Sequence, residues 1–200
     1  MKKVVVTGGL SSGKSTVCHI FEELGAYVVS ADKIVHDLIA NNTDVRQKIV
    51  DLLGPGVVIN GQLNRQAIAQ KVFPHPKTLK DLEHILHPLV LHEIELQYQI
   101  SKKELKHDIF IVEIPLLYET KSEPLFDFVI VVLAEEKLCK KRFCQNKNQK
   151  EEDFAERMFR QIAPEKKAAK ADFLLLNNGS VEDLKKEVTK LANKIRLTQP

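Results

Sequence analysis

Apolar residues along this chain fall into two regimes. Five short runs, residues 3–6, 26–30, 109–114, 128–133 and 172–176, are apolar almost without a break and rich in Val, Ile and Leu. That is the pattern of parallel strands buried on both faces. Between them the apolar positions recur at helical spacing: Val17, Ile20, Phe21 and Leu24 after the first run, and Val181, Leu184, Val188, Leu191 and Ile195 after the last. Gly25 stands where the first helix should stop, and Ser180 with Asp183 stands where the last should start. The alternation predicts an α/β fold of three layers, a doubly wound five-stranded parallel sheet between helices.

Two segments interrupt the alternation. Residues 32–107 are too long for one crossover helix and carry several helical patterns, punctuated by Gly54-Pro55-Gly56, Phe73-Pro74-His75-Pro76 and His87-Pro88. A connection of that kind is an inserted helical subdomain and a place for a second substrate. Residues 135–170 are polar and helical, with Lys140, Lys141, Arg142, Lys147, Arg157 and Arg160. The expected organisation is one domain over 1–200: a core of 1–31, 108–134 and 171–200, an acceptor subdomain at 32–107 and a lid at 135–170.

Composition narrows the class without naming it. The chain has 200 residues, 44% of them hydrophobic and 28% charged, with a net charge of +3. That excess suits an anionic small molecule and is too weak to argue for nucleic acid. Cys18, Cys139 and Cys144 build no disulfide framework, which points to a reducing compartment. The apolar residues after Met1-Lys2-Lys3 are too few for a signal peptide, and residues 125–134 are too few to span a bilayer. The expectation is a cytoplasmic protein that engages neither nucleic acid nor membrane.

Between the first apolar run and the first helical pattern lies Gly8-Gly9-Leu10-Ser11-Ser12-Gly13-Lys14-Ser15-Thr16, which completes G-x-x-x-x-G-K-[ST]. Strand, Gly-rich turn and helix form the context this phosphate-binding motif requires. Successive backbone amides turn inward to surround a phosphate, and the helix N-terminus adds unpaired N–H groups and the positive end of its dipole. Lys14 can reach the β- and γ-phosphates, and the Ser15 hydroxyl can ligate Mg²⁺. A nucleoside triphosphate is therefore expected.

A phosphate loop alone does not name a reaction. Asp32 follows the second apolar run directly, at the sheet edge where ligands gather. It can act as a general base on an attacking hydroxyl or cap the helix that follows, and the residues leave both readings open. Arg157 and Arg160 are neighbours on one helix, either a lid that closes on phosphates or a solvated face. Asn146-Lys147-Asn148-Gln149 begins like a guanine-reading N-K-x-D motif, but Gln149 replaces the required Asp, which argues against a GTPase. Glu113 ends the third run, where it can hold a Mg²⁺-bound water or simply face solvent. His84, His87 and His92 have the spacing of metal ligands, but Pro88 is expected to break their helix. His87 then reads as a turn or substrate-side residue and the other two as surface residues.

Taken in order, several segments resemble the dephospho-CoA kinase family, a branch of the P-loop kinases related to nucleoside monophosphate kinases. They are residues 7–16, Ala31-Asp32, Leu63-Asn64-Arg65, Val72-Phe73, Leu82-Glu83-x-Ile85-x-His87-Pro88, Pro115-Leu116-Leu117-Tyr118-Glu119, Arg157-x-x-x-Gln161 and Ala171-Asp172-x-x-x-x-Asn177-x-Gly179. The resemblance implies phosphorylation of the ribose 3′-hydroxyl of dephospho-CoA by ATP. It puts ATP phosphates on Ser11, Ser12, Gly13, Lys14, Ser15 and Thr16, with Asp32 as general base. Arg65, His87, Pro115, Leu116, Leu117 and Glu119 then lie toward the acceptor, Arg157 in the lid and Asn177 near adenine. Ser11 stands where the family usually has Gly, tolerable if its φ is negative or its side chain turns away. The acidic residue common at position 30 is Ser30, and the lid arginine expected after Arg142 is Asn146. A kinase of another small hydroxyl substrate and an ATP-sensing regulator are the alternative readings.

Overall fold

The computed structural model describes residues 1–145, 151–159 and 161–198. In chain order the elements begin with β1 (Lys2–Gly8), α1 (Lys14–Glu23), β2 (Tyr27–Ser30), α2 (Ala31–Asn41) and α3 (Thr43–Leu53). A short hairpin, β3 (Val58–Ile59) and β4 (Gln62–Leu63), precedes α4 (Arg65–Val72) and the long α5 (Pro76–Glu104). There follow β5 (Ile109–Glu113), β6 (Phe128–Leu133), α6 (Glu136–Gln145), α7 (Glu151–Phe159), α8 (Pro164–Ala168), β7 (Phe173–Leu176) and α9 (Val181–Leu197). The chain divides into two compact units, residues 1–30 with 98–200, and residues 31–97.

The first unit holds a five-stranded parallel sheet in the order β2-β5-β1-β6-β7. All five apolar runs are strands, and β1, which carries the phosphate motif, is the central one. Continuous apolarity is what this position demands, because Val4, Val5, Val6 and residues 109–112 have both sheet faces covered. On one face α1 and α9 pack together, and Val17, Phe21, Leu184, Val188 and Ile195 close over Val4, Val6, Ile111 and Ile130. Ser180 caps α9 as expected: its hydroxyl accepts from Asp183 N at 3.1 Å and donates to the Asp183 carboxylate at 2.7 Å. Gly25 follows α1 at φ +88°.

The second unit, residues 31–97, is helical apart from the β3–β4 hairpin. Its own core gathers Val45, Ile49 and Leu53 of α3 with Val57, Ile68, Val72, Leu82 and Leu86. Asn60 and Gly61 make the hairpin turn at φ +51° and +76°, the left-handed pair such a two-residue turn requires. The unit closes at Gln97, not at the expected residue 107, because α5 is one continuous helix whose last turns belong to the first unit. Tyr98, at that junction, stacks edge-on against Phe110 of β5 with ring centroids 5.3 Å apart. Among the described residues no helix is long and apolar enough to cross a membrane.

Candidate active site

The loop from Gly8 to Gly13 is shaped by backbone conformations that side chains resist. Gly8 has φ +149° and Gly13 has φ +99°. A Cβ at Gly8 would run into the Val132 carbonyl of β6, and one at Gly13 into the Asn177 side-chain amide. Both positions are closed to any residue but glycine. Ser11 lies in the left-handed region at φ +55°, so of the two conditions for a serine here the negative φ is not the one met. For a residue with a Cβ this costs of the order of 1 kcal/mol, a strain held by the loop closure around it. Ser12 N donates to Gly9 O at 3.3 Å inside the loop, and Val17 N to Gly13 O at 3.1 Å at the start of α1. Ser12 Oγ is buried without a hydrogen-bond partner. Lys14, only 8% exposed, folds back so that Nζ donates to Gly9 O at 2.8 Å and Gly8 O at 3.4 Å. Ser15 is exposed on the first turn of α1.

Asn177, at the end of β7, braces this loop. Its Nδ2 donates to Ser12 O at 2.8 Å, while Arg142 of α6 donates through Nη2 to Asn177 O at 3.0 Å and Oδ1 at 3.4 Å. Asn177, which the resemblance places near adenine, thus has its buried amide bonded to the phosphate loop and to α6. Arg142 Nη1 is buried with no partner of its own.

The segment after β5 is held from below. Pro115 O accepts from Thr7 Oγ1 at 3.3 Å and from Lys167 Nζ at 2.9 Å. Glu119 Oε1 pairs with Lys167 Nζ at 2.9 Å and accepts from Ile162 N at 2.8 Å. Leu117 is fully buried, so its side chain serves packing, and one Glu119 oxygen is bound internally. Glu119 Oε2 is buried without a partner, and Pro115 and Leu116 are half-buried. Burial, reinforced by the Glu123 and Asp172 carboxylates, pushes the Tyr118 hydroxyl up to about 12.

In the basic segment, Cys139, Phe143 and Phe154 form a small core that includes Leu10 of the loop and Met158. The Arg157 guanidinium, which the resemblance places in the lid, lies over the Phe143 ring of α6 at 5.5 Å, a cation–π contact. The segment is not a lid throughout: α8 packs on β1 and β6, and a Cβ on Gly9 would lie 3.4 Å from Pro164 Cγ. Arg160, Lys147 and the Asn146-Lys147-Asn148-Gln149 stretch lie outside the described residues.

The remaining assignments sit in the second unit. Asp32 is exposed and is the second residue of α2, which begins at Ala31. It is therefore not that helix's N-cap; its charge instead faces the favourable end of the helix dipole. Asn64 accepts from Ala67 N at 2.9 Å and caps α4, which sets Arg65, exposed, as the first helical residue. His87 is half-buried within α5 and not in a turn, because the helix runs through Pro88. Proline's fixed φ suits a helix, but Pro88 has no N–H for the His84 carbonyl and its ring crowds that oxygen. His84 and His92 are exposed, and among the described residues no group of three or more His, Cys, Asp or Glu is placed to hold a metal ion.

Glu113 is half-buried at the end of β5. Burial pushes the Cys18 thiol of α1 well above its ordinary range, Glu113 pushes the same way and Lys14 opposes it. An acidic group and the loop lysine therefore share the field under the phosphate loop. Lys167, which with Thr7 organises the Pro115–Glu119 segment, carried no sequence signal: a lysine beside Lys166 in a basic stretch gives no hint that it is fully buried.

The chain's likeness to known proteins follows the same lines. A family model described as dephospho-CoA kinase matches residues 3–183. A dephospho-CoA kinase of Protochlamydia amoebophila is 44% identical over 199 residues, spanning 98% of each chain. The crystal structure of TT1252 from Thermus thermophilus superposes with a TM-score of 0.83 at 30% identity, covering 99% of this chain and 98% of that one. A dephospho-CoA kinase from Campylobacter jejuni does so at 0.72 and 32% identity, covering 97% and 96%.

Proposed function

The chain belongs to the dephospho-CoA kinase family, and from that premise we propose how its own residues divide the work. Its reaction is the ATP-dependent phosphorylation of dephospho-CoA in coenzyme A biosynthesis. Phosphoryl transfer needs little covalent help from protein; it needs positioning and charge where the transferring oxygens develop it. The amides of residues 11–16 hold the ATP phosphates, and Lys14 exchanges the Gly8 and Gly9 carbonyls for β- and γ-oxygens. The ribose 3′-hydroxyl of dephospho-CoA is the nucleophile. Its oxygen bonds to the γ-phosphorus as the bond from phosphorus to the β–γ bridging oxygen breaks. Its proton passes to Asp32, and ADP leaves. Asp32 stands two residues beyond β2, whose end lies at the same edge of the parallel sheet as the end of β1. Arg65, His87 and the Pro115–Glu119 segment are the acceptor side.

The donors available suit Mg²⁺: the exposed Ser15 hydroxyl and the Glu113 carboxylate are hard oxygen groups. Ser15 would hold the ion directly and Glu113 through water, and the ion supplies neutralisation of the β- and γ-oxygens. The observation that carries the reading is the loop itself, where two positions admit only glycine and Lys14 lies across the loop carbonyls. ADP release by the purified protein, measured against dephospho-CoA, adenosine, nucleoside monophosphates and simple sugars, tests it. Steady ADP production is expected only with dephospho-CoA. Turnover of a sugar or nucleoside with dephospho-CoA inert would overturn the assignment.

A further inference from the structure

Lys167 is the one lysine of the described residues whose side chain is fully buried, and neither the phosphate loop nor the acceptor residues named above include it. A buried ammonium is costly unless every donor finds a partner. Lys167 donates to Pro115 O and to Glu119 Oε1, each at 2.9 Å. These two partners bracket the Pro115–Glu119 segment. Pro115 O also accepts from Thr7 Oγ1, one residue before the phosphate loop begins. Glu119 also accepts from Ile162 N, just ahead of α8. The same short helix begins at Pro164, which abuts Gly9. One five-residue helix thus lies beside the phosphate loop at its first residue and bonds both ends of the Pro115–Glu119 segment through a single side chain.

We propose that Lys167 is a positioning residue that fixes the Pro115–Glu119 segment in register with the phosphate loop, so that the acceptor is held where the γ-phosphate is presented. It touches no substrate and acts through Pro115 and Glu119. The consequence for the acceptor rests on the reading of that segment as the acceptor side. Positioning differs from mere stability in what it changes. Loss of a structural ion pair reduces the folded fraction and leaves the Michaelis constants of the remainder alone. Loss of register raises the KM for dephospho-CoA and spares that for ATP.

Lys167→Met alone leaves Glu119 buried beside an apolar group, a change that can unfold the protein. The double variant Lys167→Met/Glu119→Gln removes both charges, and the single variant Glu119→Gln is its reference. In the full chain we expect the double variant to match the reference in melting temperature. Its KM for dephospho-CoA should lie at least about fivefold above the reference and its KM for ATP within about twofold. Hydrogen exchange of the amides of residues 116–119 should be faster by about tenfold or more. Unchanged exchange with unchanged constants for both substrates would overturn the proposal. Faster exchange with an unmoved KM for dephospho-CoA would uphold the positioning and overturn the acceptor reading instead. Should the double variant melt far below the reference, Lys167 is a stability residue and the proposal falls.

Discussion

Asn177 donates its side-chain amide to the main-chain oxygen of Ser12, 165 positions earlier in the chain, at 2.8 Å. The bond ties the end of the edge strand β7 to the phosphate loop after the central strand β1. Arg142 completes the brace by donating to Asn177 O and Oδ1, so α6 is linked to the loop through one asparagine.

The first prediction follows from that bond. Asn177→Ala strands the buried Ser12 carbonyl, at a cost of about 1–3 kcal/mol. The KM for ATP should rise by roughly tenfold, the equivalent of about one net hydrogen bond. Asn177→Asp keeps the shape but offers no donor to Ser12 O, and it should do no better. Calorimetric melting and titration with a non-hydrolysable ATP analogue check both variants. Wild-type affinity at full stability in either would remove Asn177 from the loop's support.

Lys14 makes a second test. Its ammonium satisfies two loop carbonyls, so Lys14→Ala should lose about 1 kcal/mol of stability. Turnover should fall further, by roughly 10²–10³, because the charge on the transferring oxygens is lost. A folded Lys14→Ala protein with undiminished turnover would contradict the phosphate-loop assignment.

Much of the fold was legible because the strands state their environment. A run such as residues 109–112 has no polar residue to offer solvent, so it is buried on both faces, and the Gly-rich motif then sits at the end of the central strand. Signals that were present but overruled explain other differences. Asn60-Gly61 marks a hairpin, but its strands are only two residues each, too short to register as an apolar alternation. Pro88 reads as a break, yet α5 runs through it, with Leu82, Leu86 and Val90 buried along the helix against the lost hydrogen bond and the crowding of the proline ring. The site was legible where a motif is local, as at Gly8 to Ser15. It was illegible where a residue matters through a distant partner. Lys167 meets Glu119, and Asn177 meets Ser12, only after the sheet has formed, and no spacing along the chain encodes those meetings.

Tyr118 supplies a dependence on pH. Its hydroxyl is buried without a partner, and burial raises its pKa from the usual 10.0 to about 12. The folded state therefore keeps the proton after the unfolded chain has released it. The associated stability is full below about pH 10 and is lost as pH rises toward 12. The comparison is with Tyr118→Phe, which shares every other group of the chain. The variant should match or exceed wild type at pH 7, since no hydrogen bond is removed, and the difference should widen in its favour between pH 10 and 12. Parallel stability curves across that window would show that the hydroxyl is not held neutral by the fold.

The last prediction concerns Asp32, whose two sequence readings the structure separates. An N-cap role is removed, because α2 already includes Ala31 and Asp32 is its second residue. What remains for the charge, apart from catalysis, is its favourable interaction with the helix N-terminus, about 0.3–1 kcal/mol at an exposed site. Asp32→Asn keeps size and shape and gives up the charge and the ability to take a proton. Stability should therefore drop by no more than about 1 kcal/mol, while turnover should fall by roughly 10² or more, the contribution of a positioned base. ATP affinity should stay near wild type, since the phosphates bind the loop amides and Lys14. Asp32→Glu restores the base on a longer arm and should recover part of the rate without altering ATP binding. Melting temperature, ATP-analogue titration and steady-state turnover on the two variants decide the matter. If Asp32→Asn retains wild-type turnover, the proton of the acceptor hydroxyl goes elsewhere, and Asp32 is left with its part in the first turn of α2.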